Sequence, residues 1–345
     1  MSGWSLGEVE VDRRHASLED VAADVGVSSA TVSRALRGFP NVAPSTRERV
    51  EAAARRLNYR VDPAASRLAR GRSSTVAMVV AVLDSWYFSS VMAGAEAVLA
   101  ENGYELAMFV IGDEAGRERL LSSSMLRGAD GVILVDVALD SAGLVALVEQ
   151  SGPTVTVGLE FDNVPSVVVD DRRIGHMATT HLLTLGHTAI GLLGGTSTNP
   201  LGFAVPDLRR EGYLRAMQEA SVEPRPEFEA SGNFSVRGGY EAMSHLLVLD
   251  DRPTAVFAMS DEMAFGAIKA VREHGLRIPE DVSIVGVDDH PLAWVEDLTT
   301  VQQEVNQHGA MAAQMVLGHI EKRAPTTRIE VHPTLTIRGS SARAV

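Results

Sequence analysis

Near the amino end, apolar residues recur at helical spacing in three short runs. Leu18, Val21, Ala22 and Val25 share one face, Val32 and Ala35 lie along a second run, and Val50, Ala54 and Leu57 share the face of a third. Ser17 followed by Glu19 and Asp20 suits a capped helix start, and Gly26 suits a left-handed stop. A second helix is expected from Ser28 to Leu36. Ser45-Thr46-Arg47-Glu48 has capping-box spacing and predicts a third helix to about Leu57. Two short helices separated by a glycine-containing turn form the helix-turn-helix pattern, within an all-α head.

From Thr75 the pattern changes. Val76–Leu83, Glu105–Ile111, Gly131–Val137 and Thr154–Leu159 are apolar runs separated by helical stretches such as Ser89–Glu101. After about Arg172 the alternation repeats with Ala189–Leu193, Ala255–Met259 and Val282–Val287. Runs of Val and Ile without polar alternation predict strands covered on both faces, hence parallel sheets with helices on each side. Two such series predict an α/β core of two doubly wound lobes, the architecture of periplasmic sugar-binding proteins. Between head and core, Asp62 to Gly71 has Asp at the N-cap, Pro in the first turn and Gly past the end, which predicts a short helix. It is too short to be stable alone in water.

A length of 345 residues and 45% hydrophobic content suit two or three domains with a sizeable core. The absence of cysteine excludes disulfides and thiolate chemistry. Residues 1–15 are polar and read as a flexible arm, with no signal peptide expected there. No stretch reaches the length of a membrane span, so the expectation is a cytoplasmic protein with no membrane partner. The net charge of −14 argues against nucleic acid only as an average. Residues 16–72 hold ten arginines against six acids, or +4, and residues 1–15 hold two arginines against three acids, or −1. The remaining residues therefore carry −17. A basic head on an acidic body points to a head that meets a polyanion.

The head carries Leu18-Glu19-Asp20-Val21-Ala22, Gly26-Val27-Ser28, Ala30-Thr31-Val32-Ser33-Arg34-Ala35-Leu36, Thr46-Arg47 and Leu57-Asn58-Tyr59. This closely resembles the LacI/GalR repressor family, and the resemblance continues through Pro63 to Leu68 and more loosely along the chain. It implies a DNA-binding domain at 16–62, a hinge helix at 63–72 and an effector-binding, dimerising core at 73–345. It also implies lobe crossings near 175 and 302 and a return near 331. The second lobe would then hold about 176–301 and 331–345. The second head helix would lie in the major groove of operator DNA. Ser29, Ala30 and Arg34 would read bases, with Ser28, Thr31 and Ser33 close by. Ser17, Asn41, Thr46 and Tyr59 would meet phosphates. Arg34 can form two parallel bonds to guanine, whereas Ala30 offers only apolar contact, so readout should lean on Arg34. In the hinge, Leu68 would wedge into the minor groove with Ala65 packed below it. A homodimer on a palindromic operator is implied.

Ligands of doubly wound sheets bind beyond the carboxyl ends of the strands. Asp84 to Phe88 follow the first strand, Ser260 and Asp261 follow Met259, Asp288 follows Val287, and Asp170 and Asp171 follow Val169. Arg209-x-x-Gly212-Tyr213 resembles the family's effector-binding arginine motif, and Phe234 stands where relatives often place an aromatic. The expected contacts to a sugar-like effector are Trp86, Phe88, Asp170, Arg209, Phe234, Ser260, Asp261 and Asp288, since carboxylates, one arginine and aromatic faces suit a polyol. No nucleophile–base pair, cofactor fingerprint or metal spacing is found, so no enzyme, cofactor or metal is expected. A transport protein and a nonspecific architectural DNA protein are the other classes; specific operator retention separates both from a regulator.

Overall fold

The computed structural model describes residues 16–36, 39, 41–59, 73–112, 114–137, 143, 147, 152–195, 204–323 and 326–344. It divides after Ser73 into two units, a small head and a large core.

The head is three helices, α1 (Leu18–Val25), α2 (Ser29–Leu36) and α3 (Pro44–Arg56). Ser17 caps α1: its hydroxyl accepts from Asp20 N at 3.2 Å while Asp20 Oδ2 accepts from Ser17 N at 2.8 Å. Gly26 ends α1 with φ of 72°, and three residues later α2 begins. Ser28 accepts from Thr31 N and caps α2. The expected capping box at Ser45 is absent, because α3 starts two residues earlier, with Ala43 as its N-cap: Pro44, with its φ preset for a helix, takes the first turn. Val21, Val25, Val32, Ala35, Val50 and Ala53 meet at the centre. Each fully buried valine contributes roughly 1.5–3 kcal/mol, a substantial share of what holds so small a unit.

The core has two six-stranded sheets. The first joins β1 (Thr75–Val80), β2 (Glu105–Val110), β3 (Gly131–Val135), β4 (Thr154–Val157), β5 (Ser166–Val169) and β11 (Arg328–Val331) in the order β2-β1-β3-β4-β5-β11, all parallel. The second joins β6 (Ile190–Gly194), β7 (Glu229–Ser231), β8 (Ala255–Ala258), β9 (Ser283–Asp288), β10 (Thr299–Gln302) and β12 (Thr334–Thr336) in the order β7-β6-β8-β9-β10-β12. Only β12 runs antiparallel to its neighbour. Both orders reverse direction after their second strand, and such switch points are where open sheets bind ligands. The central strands are buried on both faces, as the unbroken Val and Ile runs require. Helices α4 (Trp86–Glu101), α5 (Glu114–Ser122) and α6 (Ser124–Arg127) alternate with the first strands, and α12 (Val305–Ile320) packs on β3, β4 and β5. Helices α7 (Asp171–Thr184), α8 (Val205–Glu219), α9 (Val236–Leu247), α10 (Asp261–Glu273) and α11 (Pro291–Val295) belong with the second sheet. All of α7 lies there, so the chain first crosses just before Asp171. It crosses again after β10 and after β11.

The helix pairs on the sheets are seated by facing glycines. A methyl at Gly94 of α4 would lie 1.9 Å from Asn306 O, and one at Gly309 of α12 would lie 1.8 Å from Val91 O. On α7 and α8, Gly175 and Gly212 stand in the same relation to Arg209 O and Arg172 O.

Candidate effector cleft and DNA-facing helix

In the head, the outer surface of α2 carries Ala30 and Arg34, both exposed, with Ser29, Thr31 and Ser33 half-exposed beside them. Val32 and Ala35 point inward, so the groove-reading candidates share a surface because the remaining positions are spent on the core. Asn41 is exposed in the turn before α3, and Thr46 is half-exposed in its first turn. Tyr59 packs partly against the core. Two other arginines are structural: Arg49 donates to Val25 O at 2.6 Å and Arg56 pairs with Asp24. Ala65 and Leu68 lie outside the described residues.

In the core, the segments that follow the strands of both sheets enclose one cavity of about 450 Å³. The first lobe supplies Ser85, Tyr87 and Phe88 after β1, Asp136 after β3 and Gly158 after β4. The second supplies Ser260 after β8, Asp288 at the end of β9, Gln303 after β10, and Arg209 from α8 with Asn233 and Phe234 from the loop before α9. Of the eight expected effector contacts, Phe88, Arg209, Phe234, Ser260 and Asp288 line this cavity. Trp86, Asp170 and Asp261 do not.

Each of the three has a physical reason. Asp170 is the N-cap of α7 and accepts from Arg173 N at 3.0 Å, turning its carboxylate away. Its neighbour Asp171 faces the cavity instead. Asp261, the first residue of α10, is fully buried behind the strand ends, where it accepts from Thr300 Oγ1 at 2.7 Å and His290 N at 2.8 Å. Trp86 lies against the imidazole of His290, with ring centroids 4.8 Å apart.

Several polar residues that line the cavity were not among the expected contacts. Asp136 follows β3 directly and obeys the strand-end rule, but the apolar Val137 beyond it masked the end of the strand. Asp171 sits beside the residue chosen. Tyr87 was one of three adjacent aromatics. Glu262 follows Asp261 into α10, and Gln303 follows β10, a short strand whose Thr-Thr-Val-Gln gives little apolar signal.

Charge in the cavity is strongly biased. Among the described residues, Arg209 is the only basic one lining it, against Asp84, Asp136, Asp171, Glu262 and Asp288. Arg209 Nε donates to Asp171 Oδ1 at 2.8 Å and Nη1 to Met259 O, so the guanidinium is held by α7 and β8 before any ligand arrives. Burial drives the Asp171 carboxyl upward, against the pull of the Arg209 charge. Burial pushes Asp136 up to about 7, with the negative charge of Asp171 adding to the rise. It also pushes Asp288 up to about 7, opposed by Arg209 and by the 2.5 Å hydrogen bond from Gln303 Nε2. The backbone is strained at the same place. Asp136 (φ 49°), Asn233 (47°), Phe234 (52°) and Asp288 (119°) all take left-handed conformations that side-chain-bearing residues avoid, and such strain concentrates at ligand sites.

A helix-turn-helix head and two doubly wound lobes around a polar cleft define a ligand-responsive DNA-binding regulator. Residues 17–62 match the bacterial regulatory proteins of the lacI family, and residues 179–341 match the periplasmic binding protein-like domain. The HTH-type transcriptional repressor PurR of Pasteurella multocida (strain Pm70) is 33% identical over 335 residues, covering 94% of this chain and 98% of that protein. A lac repressor dimer bound to operator and the anti-inducer ONPF superposes with a TM-score of 0.83 at 27% identity, covering 95% of this chain and 99% of that one. A complex of the regulator CelR with cellobiose gives 0.69 at 30% identity, covering 94% and 100%. The chain belongs to the LacI family of transcription regulators.

Proposed function

We propose that this protein is a homodimeric, cytoplasmic repressor whose hold on a palindromic operator is set by a small polyol bound in the core cleft. The observation that carries the effector half is the single cavity walled by strand ends of both lobes, where a ligand can grip the two halves at once. Relatives with known ligands point the same way: CelR was solved with cellobiose. Dimerisation is supported by the first lobe's edge strand, β2, which leaves Met108 and Val110 about 40% exposed. In the hinge, Leu68 is the residue proposed to wedge into a central C–G step.

No hydrolytic chemistry is proposed for the cleft. Its three serines are helix caps: Ser85, Ser235 and Ser260 accept from Tyr87 N, Gly238 N and Met263 N. Ser85 Oγ is turned onto Glu262 Oε2 at 3.1 Å, and no histidine is among the described lining residues. Among the described residues no helix is long and apolar enough to cross a membrane.

The test is operator binding by the full chain, followed by fluorescence anisotropy with and without members of a sugar panel. At least one sugar should shift the affinity, and Asp288→Asn should abolish that shift while operator binding persists. Arg209→Ala is a poorer probe. Stripping Asp171 of its buried partner costs about 3–5 kcal/mol, so lost response would be confounded with lost fold. A full response in Asp288→Asn at wild-type sugar concentrations would move the effector site elsewhere.

A further inference from the structure

Among the described residues, the cleft's two fully buried side-chain atoms without a hydrogen-bond partner are of one kind. Asp136 is 2% exposed, and its Oδ1 has no hydrogen-bond partner among the described residues. Tyr87 is hydrogen-bonded to the carboxylate. Gln303 is 1% exposed; its Nε2 is used on Asp288, and its Oε1 likewise has no partner. Both orphan atoms are acceptors, and both residues line the cavity. Arg209, the cationic donor of the lining, already gives Nε to Asp171 and Nη1 to Met259 O. A buried acceptor without a donor costs about 1–3 kcal/mol, more when it is charged, so the ligand has to bring donors. Gly158 keeps the approach open, since a methyl there would lie 1.8 Å from Asp136 Oδ1.

Charge narrows the choice among donors. Five carboxyl groups face one guanidinium that is already paired. A phosphate or carboxylate on the ligand would meet no free cation and several like charges. A hydroxyl satisfies Gln303, but it brings no charge to offset the Asp136 carboxylate when that group ionises. A protonated amine supplies both donors and the missing charge.

We infer that the cleft is built for a polyol bearing a protonated amine, of the amino-sugar class, and that Asp136 is the residue that receives the ammonium group. This rests on the reading of the cleft as the effector site. The experiment is calorimetric titration of the full chain near neutral pH with matched sets: glucosamine, glucose and glucose 6-phosphate, and the galactose and mannose counterparts. In at least one set the amine should bind at least about tenfold tighter than its neutral parent, and the phosphate ester should bind least well. Asp136→Asn, which preserves shape and removes charge, should erase that advantage so that amine and parent bind alike. A neutral parent that binds as tightly as its amine overturns the inference, as does a phosphate ester that binds best or an amine advantage that survives Asp136→Asn. If neutral sugars bind and shift operator affinity while the amines do not, the amine assignment fails and the effector site stands. Silence from every member of all three sets overturns both.

Discussion

Two residues show how differently a side chain can be committed. Asp136 is held at a left-handed φ in a buried site, near Tyr87, Asp171 and Arg209, with its carboxyl pushed up to about 7. In an unfolded chain the same group titrates near 4. Below that value both states are protonated and it contributes no difference. As pH rises from about 4 through 7 the unfolded chain releases its proton first, so folding stability is lost across that window. Asp136→Asn should therefore leave thermal stability nearly unchanged at about pH 4 and raise it by roughly 2–4 kcal/mol at about pH 8 in the absence of effector. Melting curves at the two pH values check this, and equal melting shifts at both would show that Asp136 is not held protonated. Arg34, by contrast, stands exposed on α2. Its truncation to Ala should leave the melting curve in place, cost about 1–3 kcal/mol of operator affinity and relax preference at one base pair per half-site. Competition binding over a library of single-base operator variants measures it. A loss uniform over all sequences would make Arg34 a phosphate contact.

At the scale of elements, what sequence could reveal depended on how local the cause was. The cap of α1 was legible because Ser17 and Asp20 bond each other within one turn. The central strands were legible because burial on both faces leaves only Val, Ile and Leu. The edge strands β7, β11 and β12 carry Glu, Ser, Arg and Thr, since an edge needs no apolar partner, and they left no such trace. Nor could sequence assign Asp170 and Asp171, because which of two adjacent carboxylates caps α7 and which reaches Arg209 depends on where the helix begins. The facing glycines were invisible for the same reason: Gly94 and Gly309 meet across more than two hundred residues of chain. They carry a direct prediction. A methyl at Gly309 strikes a backbone carbonyl of α4, which cannot rotate away, so α12 has to lift from its neighbour. Gly309→Ala should destabilise the core by about 1–3 kcal/mol despite the better helix propensity of Ala. Gly318, in the same helix with open space around it, is the control: Gly318→Ala should be neutral or stabilising by up to about 1 kcal/mol. Chemical denaturation of the two variants compares them directly, and matching losses would remove helix seating as the cause.

For the core as a whole, the cleft's rim explains why Trp86 was expected in the site and is found beside it. Ser85 Oγ donates to Glu262 Oε2 at 3.1 Å, and Trp86 lies on His290, which in turn meets Phe265 edge-on with centroids 5.2 Å apart. Ser85 and Trp86 come from the first lobe; Glu262, Phe265 and His290 come from the second. The Ser85–Glu262 bond joins the lobes at the cavity wall and the Trp86–His290 contact joins them outside it, so both favour closure and the second does so without touching a ligand. Each is modest: a hydrogen bond contributes about 0.5–1.5 kcal/mol net and an aromatic pair about the same. Together they can bias an open–closed equilibrium but cannot lock it, which leaves room for an effector to shift the populations. Trp86→Ala should then move the unliganded core toward the open form and lower effector affinity about three- to tenfold, because a smaller fraction of molecules is competent to bind. The loss should appear even though the residue lies outside the cavity. Small-angle scattering of the unliganded chain should record a larger radius of gyration for the variant. Saturating effector should bring variant and wild type to the same value, since the ligand draws both into the closed form. If affinity falls with no change in scattering, Trp86 touches the ligand and the rim plays no part in closure.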